Sequence, residues 1–471
     1  MEADMLTYAL TKTGGVSLYE QLYRRVKDDI LTGRLATGEK LPSKRALAAH
    51  LEVSVITVKN AYEQLMAEGY IYGMEKKGYY VSPVQRPLTA PAHRQEAAPP
   101  AEHVWEMDLV TNSIAAEDFP FTVWARLMRQ TILEQGTGLL RPMPPQGAPE
   151  LRRAIAAYLR QFRGMTVDEE QIIIGAGTEQ LYNMLVQLLG RDKRYAVEDP
   201  GYGKIARIYR SNQAEVVSVP LDGAGLSVSA LGEAGADVVH ISPSHHYPTG
   251  IVMPIARRQE LLRWAAQGND RFILEDDYDS EFRFVGRPIP TLFSVDEAGR
   301  VIYLNTFSKT IAPSIRISYM VLPHRLLAAF REKLGFYAST VSGFEQYTLA
   351  RFMAEGYYEK HLNRMRKRYH QKRDAVIACI RGGPLAERAR ITEEDAGLHF
   401  LMTLDTTLPD GVLRRRAAQR GVRLAMLSEY YNDPDDAPPH VLVVNYSGID
   451  IEKLPRALTR LAEIGEEQDH A

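Results

Sequence analysis

The 471-residue sequence predicts a multidomain fold: a small helical head ending in a hairpin, then a large α/β body with a smaller α+β tail. Three observations predict it. Between Ser82 and Trp105 the chain reads SPVQRPLTAPAHRQEAAPPAEHVW, where proline and alanine dominate and large apolar residues nearly vanish. Such a stretch cannot bury a core and favours extended, polyproline-like backbone. Before it, helical apolar spacings give way to two β-like runs. After it, strand-like and helical patterns alternate over roughly 220 residues, the signature of a mostly parallel sheet covered by helices. The expected parts are therefore a head at 15–82, a linker at 83–105 and a body at 106–465. The body divides into a large part at about 120–325 and a small part at about 326–465.

In the head, Leu18, Tyr19, Leu22, Tyr23, Val26 and Ile30 recur at three- and four-residue spacings, so the first helix is amphipathic. Pro42-Ser43 opens a second helix over Lys44 to His50. Glu52-Val53-Ser54 forms a turn whose serine caps a third helix. There Val58, Ala61, Tyr62 and Leu65 share one face, while Ser54, Thr57, Lys59, Asn60 and Gln64 share the other. Glu68-Gly69 stops it. The runs Tyr70–Tyr72 and Gly78–Val81 follow, joined by a turn holding Glu75, Lys76 and Lys77. Two helices, a tight turn and a polar second helix make a helix-turn-helix, and the hairpin would be its wing. Double-stranded DNA is the partner this pattern suits. Lys44 and Arg45 stand where side chains can meet phosphate. Charge alone leaves a protein-binding helical domain open, since Lys40–Ser82 carries six Lys/Arg against four Asp/Glu.

In the body the expected strands are Gln171–Ile174, Arg194–Val197, Val238–Ile241, Phe272–Leu274, Val301–Leu304 and Ser318–Val321, separated by helices such as Leu151–Arg160 and Glu179–Leu189. After Pro323 the chain turns largely helical, then ends with strand-like Leu398–Leu401 and Val441–Asn445 and a helix from Ile451. Composition fits this reading: 45% apolar, 25% charged, net charge -2. A basic nucleic-acid coat is excluded, though not a local site. The single cysteine, Cys379, permits no internal disulfide. No apolar run reaches the roughly 20 residues that span a bilayer. MEADMLTYAL lacks a basic and then apolar leader, so a cytoplasmic protein is expected.

Several strand-end loops carry chemistry. Lys309 lies just past Val301–Leu304, in Asn305-Thr306-Phe307-Ser308-Lys309, where α/β sheets bind ligands; an isolated lysine there is more often a solvated charge. Arg316 follows, so hydroxyls and a guanidinium could cradle a phosphate. Glu275-Asp276-Asp277-Tyr278-Asp279 crowds carboxylates that raise one another's pKa, so one needs a cationic partner or water. A protonated pyridine nitrogen would suit Asp276, and so would a magnesium site or a solvated loop. Gly175-Ala176-Gly177-Thr178 opens a helix whose N-terminus favours an anion, but it is neither a dinucleotide fingerprint nor a Walker loop. Tyr202 sits in Glu198-Asp199-Pro200-Gly201-Tyr202, where it could stack on a ring. His245 and His246 are adjacent and so poorly placed to chelate one metal ion; no metal site is expected.

The order of these pieces carries a resemblance. LYEQLYRRVKDDILTGRLATGEKLPSKRALAAHLEVSVITVKNAYEQLMAEGYI resembles the GntR-type winged helix. That resemblance implies DNA contacts from Lys44, Arg45, Ser54, Thr57, Lys59, Lys77 and the wing glycine Gly78. The family often has arginine where Val55 stands. The body resembles the fold-type I aminotransferases, which use pyridoxal phosphate (PLP), through PQGAPELRRAIAAYLRQFRG, IIIGAGTEQ, EDPGYG, SPSHHYPTG, LEDDYDSEF and NTFSKTIAPSIR. It implies that Lys309 forms the Schiff base with PLP, Asp276 holds the pyridine nitrogen and Tyr278 the ring oxygen. Tyr202 would stack on the ring, and Gly177, Thr178, Thr306, Ser308 and Arg316 would surround the phosphate. The whole chain is similar to the MocR/GabR regulators, which implies a head-to-tail homodimer.

Two functions follow: a regulator whose body senses a small molecule, or a working aminotransferase carrying a DNA-binding head. Alignment with GabR-like chains puts Gly448 where a carboxylate-gripping arginine is usual, Lys204 at another basic position, and Tyr247 where aminotransferases have asparagine. These departures count against transamination and against ordinary amino-acid sensing, unless Arg207 or Arg423 substitutes. The effector is then PLP itself, an amino acid or dipeptide, or an amine, with Gly448 favouring the first.

Overall fold

A computed structural model describes residues 5–11, 15–84, 104–284, 289–395 and 397–466. The chain forms two compact units, Met1–Glu102 and His103–Ala471. Nearly all of the expected linker, 85–103, lies outside the described residues.

In the head, helices Leu18–Thr32, Lys44–His50 and Val55–Ala67 pack around Leu22, Val26, Leu47, Val58, Ala61, Tyr62 and Leu65. Ser43 and Ser54 cap the second and third helices, accepting from Ala46 N at 3.2 Å and Thr57 N at 3.1 Å. This side-chain cap satisfies an amide that the first helical turn leaves free. The wing is three-stranded, not two-stranded. Lys40–Leu41 pairs antiparallel with Gly78–Val81, which pairs with Ile71–Met74. At two residues, that first strand is too short to show alternation.

The body's main sheet has eight strands in the order 172–175, 318–321, 301–306, 272–276, 238–241, 194–199, 215–222 and 225–226. All run parallel except Ser318–Val321 and Gly225–Leu226. Both faces are apolar. Ile173, Leu274, Ile302 and Leu304 pack to one side; Ile172, Ile174, Tyr303 and Val301 pack to the other. That is why the strands read as apolar runs rather than alternations. Two strands run further than expected, so Asp276 ends one strand and Thr306 another.

The expected small part shifts. Leu326 and Phe330 pack with the main sheet's core, as do Leu349, Phe352 and Tyr358. The change of core falls inside the 25-residue helix Tyr357–Arg381: Leu362 faces the large core, Met365 the small one. The small core is built on strands 389–392, 399–404 and 441–445 and helix Leu454–Glu466. Met107–Asp108, at the start of the body, joins it by pairing with Val422–Arg423. The body therefore begins and ends in its small layer. Among the described residues no helix is long and apolar enough to cross a membrane.

Candidate cofactor site and DNA-reading helix

The carboxyl ends of four parallel strands, with the loops that follow them, converge on a cavity of about 490 Å³. Lys309, Asp276, Tyr278, Tyr202, Thr178, Thr306, Ser308 and Arg316 all line it. Sequence positions 178 to 316 thus meet at one place, as the parallel topology requires.

Lys309 is half-buried in the cavity wall. Among the described residues its amine has no hydrogen-bond or ion-pair partner. Burial lowers its pKa, with the Asp279 charge opposing, so a larger fraction is neutral than for a free lysine. Asp276 is buried, and two neighbours hold its Oδ2. The Tyr182 hydroxyl donates to it, and His240 Nε2 lies at 3.3 Å. With the Nε2–H donating a hydrogen bond to the carboxylate, Nδ1 is the acceptor for the Tyr209 hydroxyl at 2.6 Å. Asp276 Oδ1 is buried with no partner. A buried carboxylate oxygen left free at a cavity wall suits a protonated ring nitrogen.

The phosphate cradle is also recognisable. Gly177 has φ 89° and precedes helix Thr178–Leu189; a Cβ there would run into the Arg316 guanidinium. Only glycine combines that backbone with that approach. Arg316 itself has φ 50° and ψ 34°, a left-handed conformation costing about 1 kcal/mol. Such outliers gather at ligand sites. Thr306 lines the cavity and also has a structural part. Its hydroxyl oxygen accepts from Ser318 Oγ at 2.8 Å and Ser308 N at 3.1 Å, so it braces the Ser308–Lys309 turn. The residues present therefore fit PLP: a free amine, a free buried carboxylate oxygen, and a glycine–arginine cradle at a helix N-terminus.

Sequence reasoning missed Tyr182, His240, Tyr209, Glu179, Asn112 and Tyr430. Glu179 is the informative omission. Its carboxylate contacts Lys204 Nζ and lies 3.1 Å from Arg316 Nη2. The Lys204 ammonium is thus already paired. Gly448 lies off the cavity, packed where a Cβ would meet Ser113 Oγ at 2.6 Å and Thr111 O at 2.9 Å. Arg423 pairs with Asp108 at 3.1 Å, Arg207 is exposed, and neither lines the cavity. Tyr247 does line it, sharing a 2.7 Å hydrogen bond with Tyr430.

The adjacent histidines diverge. His245 Nδ1 donates to Asp279 at 3.0 Å and His245 stacks obliquely near His399, the three offering atoms within 4.8 Å of one another. His246 Nε2 lies 3.4 Å from Glu198 Oε2. That contact has the geometry of an ion pair, yet burial disfavours the charged form of both partners. Burial, with the Asp276 charge adding, pushes Glu198 up to about 8, and burial lowers His246 to about 3. Glu198 holds a proton in the fold that the unfolded chain releases near pH 4.5, so its contribution is complete below that pH and disappears as pH rises through about 8. Glu198→Gln, which mimics the protonated acid, is expected to flatten this loss. Melting curves at pH 5, 6.5 and 8 should show the variant gaining on the parent, by roughly 2–4 kcal/mol at the highest pH. A constant difference across pH would refute the assignment.

On the head, Lys44, Arg45, Ser54, Thr57, Lys59, Lys77 and Gly78 cluster on the second helix, the third helix and the wing. Ser54 Oγ also meets Thr57 Oγ1 at 2.8 Å, so both hydroxyls serve the cap. Lys44 Nζ sits 5.2 Å from the Tyr79 ring centroid. Gly78 has φ 115° at the wing turn.

Comparison with known proteins agrees with both halves. The model for bacterial regulatory proteins of the gntR family matches residues 18–81, and that for class I and II aminotransferases matches 106–461. YdeL of Bacillus subtilis, an uncharacterised HTH-type transcriptional regulator, is 39% identical over 466 residues, covering 97% of this chain and 98% of its own. The chain belongs with the MocR-type transcriptional regulators: MocR of Rhizobium meliloti is 32% identical, covering 96% of this chain and 94% of its own. This MocR-type regulator has a DNA-binding head and a PLP-dependent, aminotransferase-like body. The pyridoxine biosynthesis transcriptional regulator PdxR of Corynebacterium glutamicum is 32% identical, covering 92% of each chain. The crystal structure of Pyrococcus horikoshii kynurenine aminotransferase is 26% identical with a TM-score of 0.66, covering 77% of this chain and 91% of that one.

Proposed function

We propose that this MocR-type regulator holds PLP through Lys309 and changes its DNA binding with PLP occupancy, working in the cytoplasm as a head-to-tail homodimer. The carrying observation is the pairing of an unpartnered, partly desolvated Lys309 amine with a buried Asp276 oxygen that nothing else satisfies. When bound, PLP supplies an aldehyde that condenses with an amine, on an electron-withdrawing ring. Lys309 provides that amine. Asp276 Oδ1 would keep the ring nitrogen protonated, while Tyr182 and His240 fix its carboxylate. Tyr202 would cover the ring, the Tyr278 hydroxyl would serve the ring oxygen, and Gly177, Thr178, Ser308 and Arg316 would hold the phosphate. A carboxylate-bearing effector would have to win Lys204 from Glu179, as the phosphate must win Arg316; the pyridoxine link in PdxR's name is what favours PLP itself. Exposed Phe336, Leu140 and Phe121 give the body apolar surface for a second copy.

The test is binding to DNA from upstream of its own gene, with and without PLP, at fixed salt. A change in affinity or footprint with PLP alone supports the proposal. No change with PLP, but a change on adding amines or amino acids, would make PLP the hook for a second ligand and overturn it.

Glu179 gives a sharper expectation. Its charge sits on the same guanidinium that the phosphate needs. Glu179→Gln should therefore bind PLP about two- to five-fold tighter, the range of a part-exposed ion pair, as read by titration. Weaker binding would make Glu179 a positioning residue for Arg316 instead.

A further inference from the structure

Helix Val55–Ala67 presents an apolar tip. Ile56 is 68% exposed and Val55 46%, and Ile56 is the most exposed large apolar side chain among the described residues of the head. Both occupy the first turn, beside the Ser54 cap, at the end that a helix-turn-helix points at base edges. Three of the polar residues near that end are engaged, while Asn60, one turn further along, is exposed. Ser54 and Thr57 hydroxyls serve the cap, and Lys59 pairs with Glu63 at 3.6 Å. Leaving isoleucine and valine in water at the reading end is unfavourable unless a partner covers them. Exposed Arg45 on the second helix, Lys59 on the third, and Lys76 and Lys77 on the wing turn give the head cations that suit a polyanion rather than a membrane interior. The floor of the major groove offers one apolar group, the C5-methyl of thymine.

We propose that Val55 and Ile56 read thymine methyl groups, so that the operator carries thymine at the bases facing the first turn of this helix. The inference rests on the head's binding of DNA and adds what it recognises. It also fits the lack of a guanine-reading arginine at position 55.

The test uses the full chain. Binding sites are selected from a randomised duplex library at fixed salt, and each thymine of the selected site is then replaced by deoxyuridine, which removes only the methyl. The expected result is a roughly three- to five-fold loss of affinity at one or two positions per half-site. Val55→Ala with Ile56→Ala should lose as much on the thymine duplex and become indifferent to uracil. Lys59→Ala should weaken binding on every sequence while keeping the uracil response. Sites that bind but ignore uracil throughout overturn this proposal and leave the DNA-binding head intact. Failure to select any sequence, with only salt-sensitive binding, would overturn the reading of sequence-specific DNA binding along with it.

Discussion

Lys309→Ala should abolish covalent retention of PLP while leaving the body as stable as the parent without cofactor. Borohydride reduction of the PLP-treated parent should add a pyridoxyl group to each chain, located by peptide mass at Lys309; the variant should gain none, and its cofactor absorbance should be that of free PLP. The expectation rests on two separate properties. Chemically, among the described residues lining the cavity, Lys204 is the other lysine, and Glu179 holds it as a cation. A protonated amine does not attack an aldehyde. Energetically, burial depresses the Lys309 pKa. The fold therefore disfavours the ammonium that the unfolded chain prefers at neutral pH, so this lysine costs stability there. Truncating it should leave the apo melting temperature unchanged or slightly raised, unlike the loss expected of a residue kept for packing. Addition of PLP should raise the melting temperature of the parent and much less that of the variant, because ligand stabilisation scales with affinity. A pyridoxyl group found on the variant at Lys204 would sink the assignment.

Much of this site was legible because its parts are local. Lys309, Asp276 and Gly177 lie at or just beyond apolar runs, and a parallel sheet must bring those ends together. Arg316 and Tyr202 came with their own loops. The missing pieces are those whose meaning depends on a distant partner. Tyr182 reads as one more apolar residue of an amphipathic helix, yet its hydroxyl reaches Asp276, 94 residues away. His240 reads as an interruption of a strand. Gly448, which alignment places where relatives carry arginine, packs against Thr111 and Ser113 and does not line the cavity. Strand Glu215–Asp222 escaped notice because Pro220 argues against a strand; it sits next to the sheet edge, where proline is tolerated. The large and small cores could not be separated by eye because one uninterrupted helix serves both.

The crowded acids after Phe272 required a cationic partner, and the fold supplies Arg163, 114 residues earlier. Arg163 ends a helical turn capped by Gly164 in the left-handed conformation. Its Nη2 donates to Asp277 Oδ2 at 2.5 Å, with both side chains almost wholly buried. Tyr303 donates to the same oxygen at 2.7 Å. Nearby Glu281 is pushed up to about 7, by burial and by the Asp277 charge, so it is poorly able to carry a second negative charge. Arg163→Ala would leave Asp277 buried and uncompensated, and should destabilise the body by about 3–5 kcal/mol. The cause can be separated from simple loss of packing. An orphaned carboxylate is relieved by protonation, so the deficit should shrink as pH falls toward the ordinary aspartate range, whereas a cavity would cost the same at every pH. Asp277→Asn in the Arg163→Ala background should likewise recover part of the loss. Because Asp277 directly follows Asp276, the loosened strand end should also weaken PLP binding. A pH-independent deficit with no rescue by asparagine would show that Arg163 acts through its bulk and not its charge.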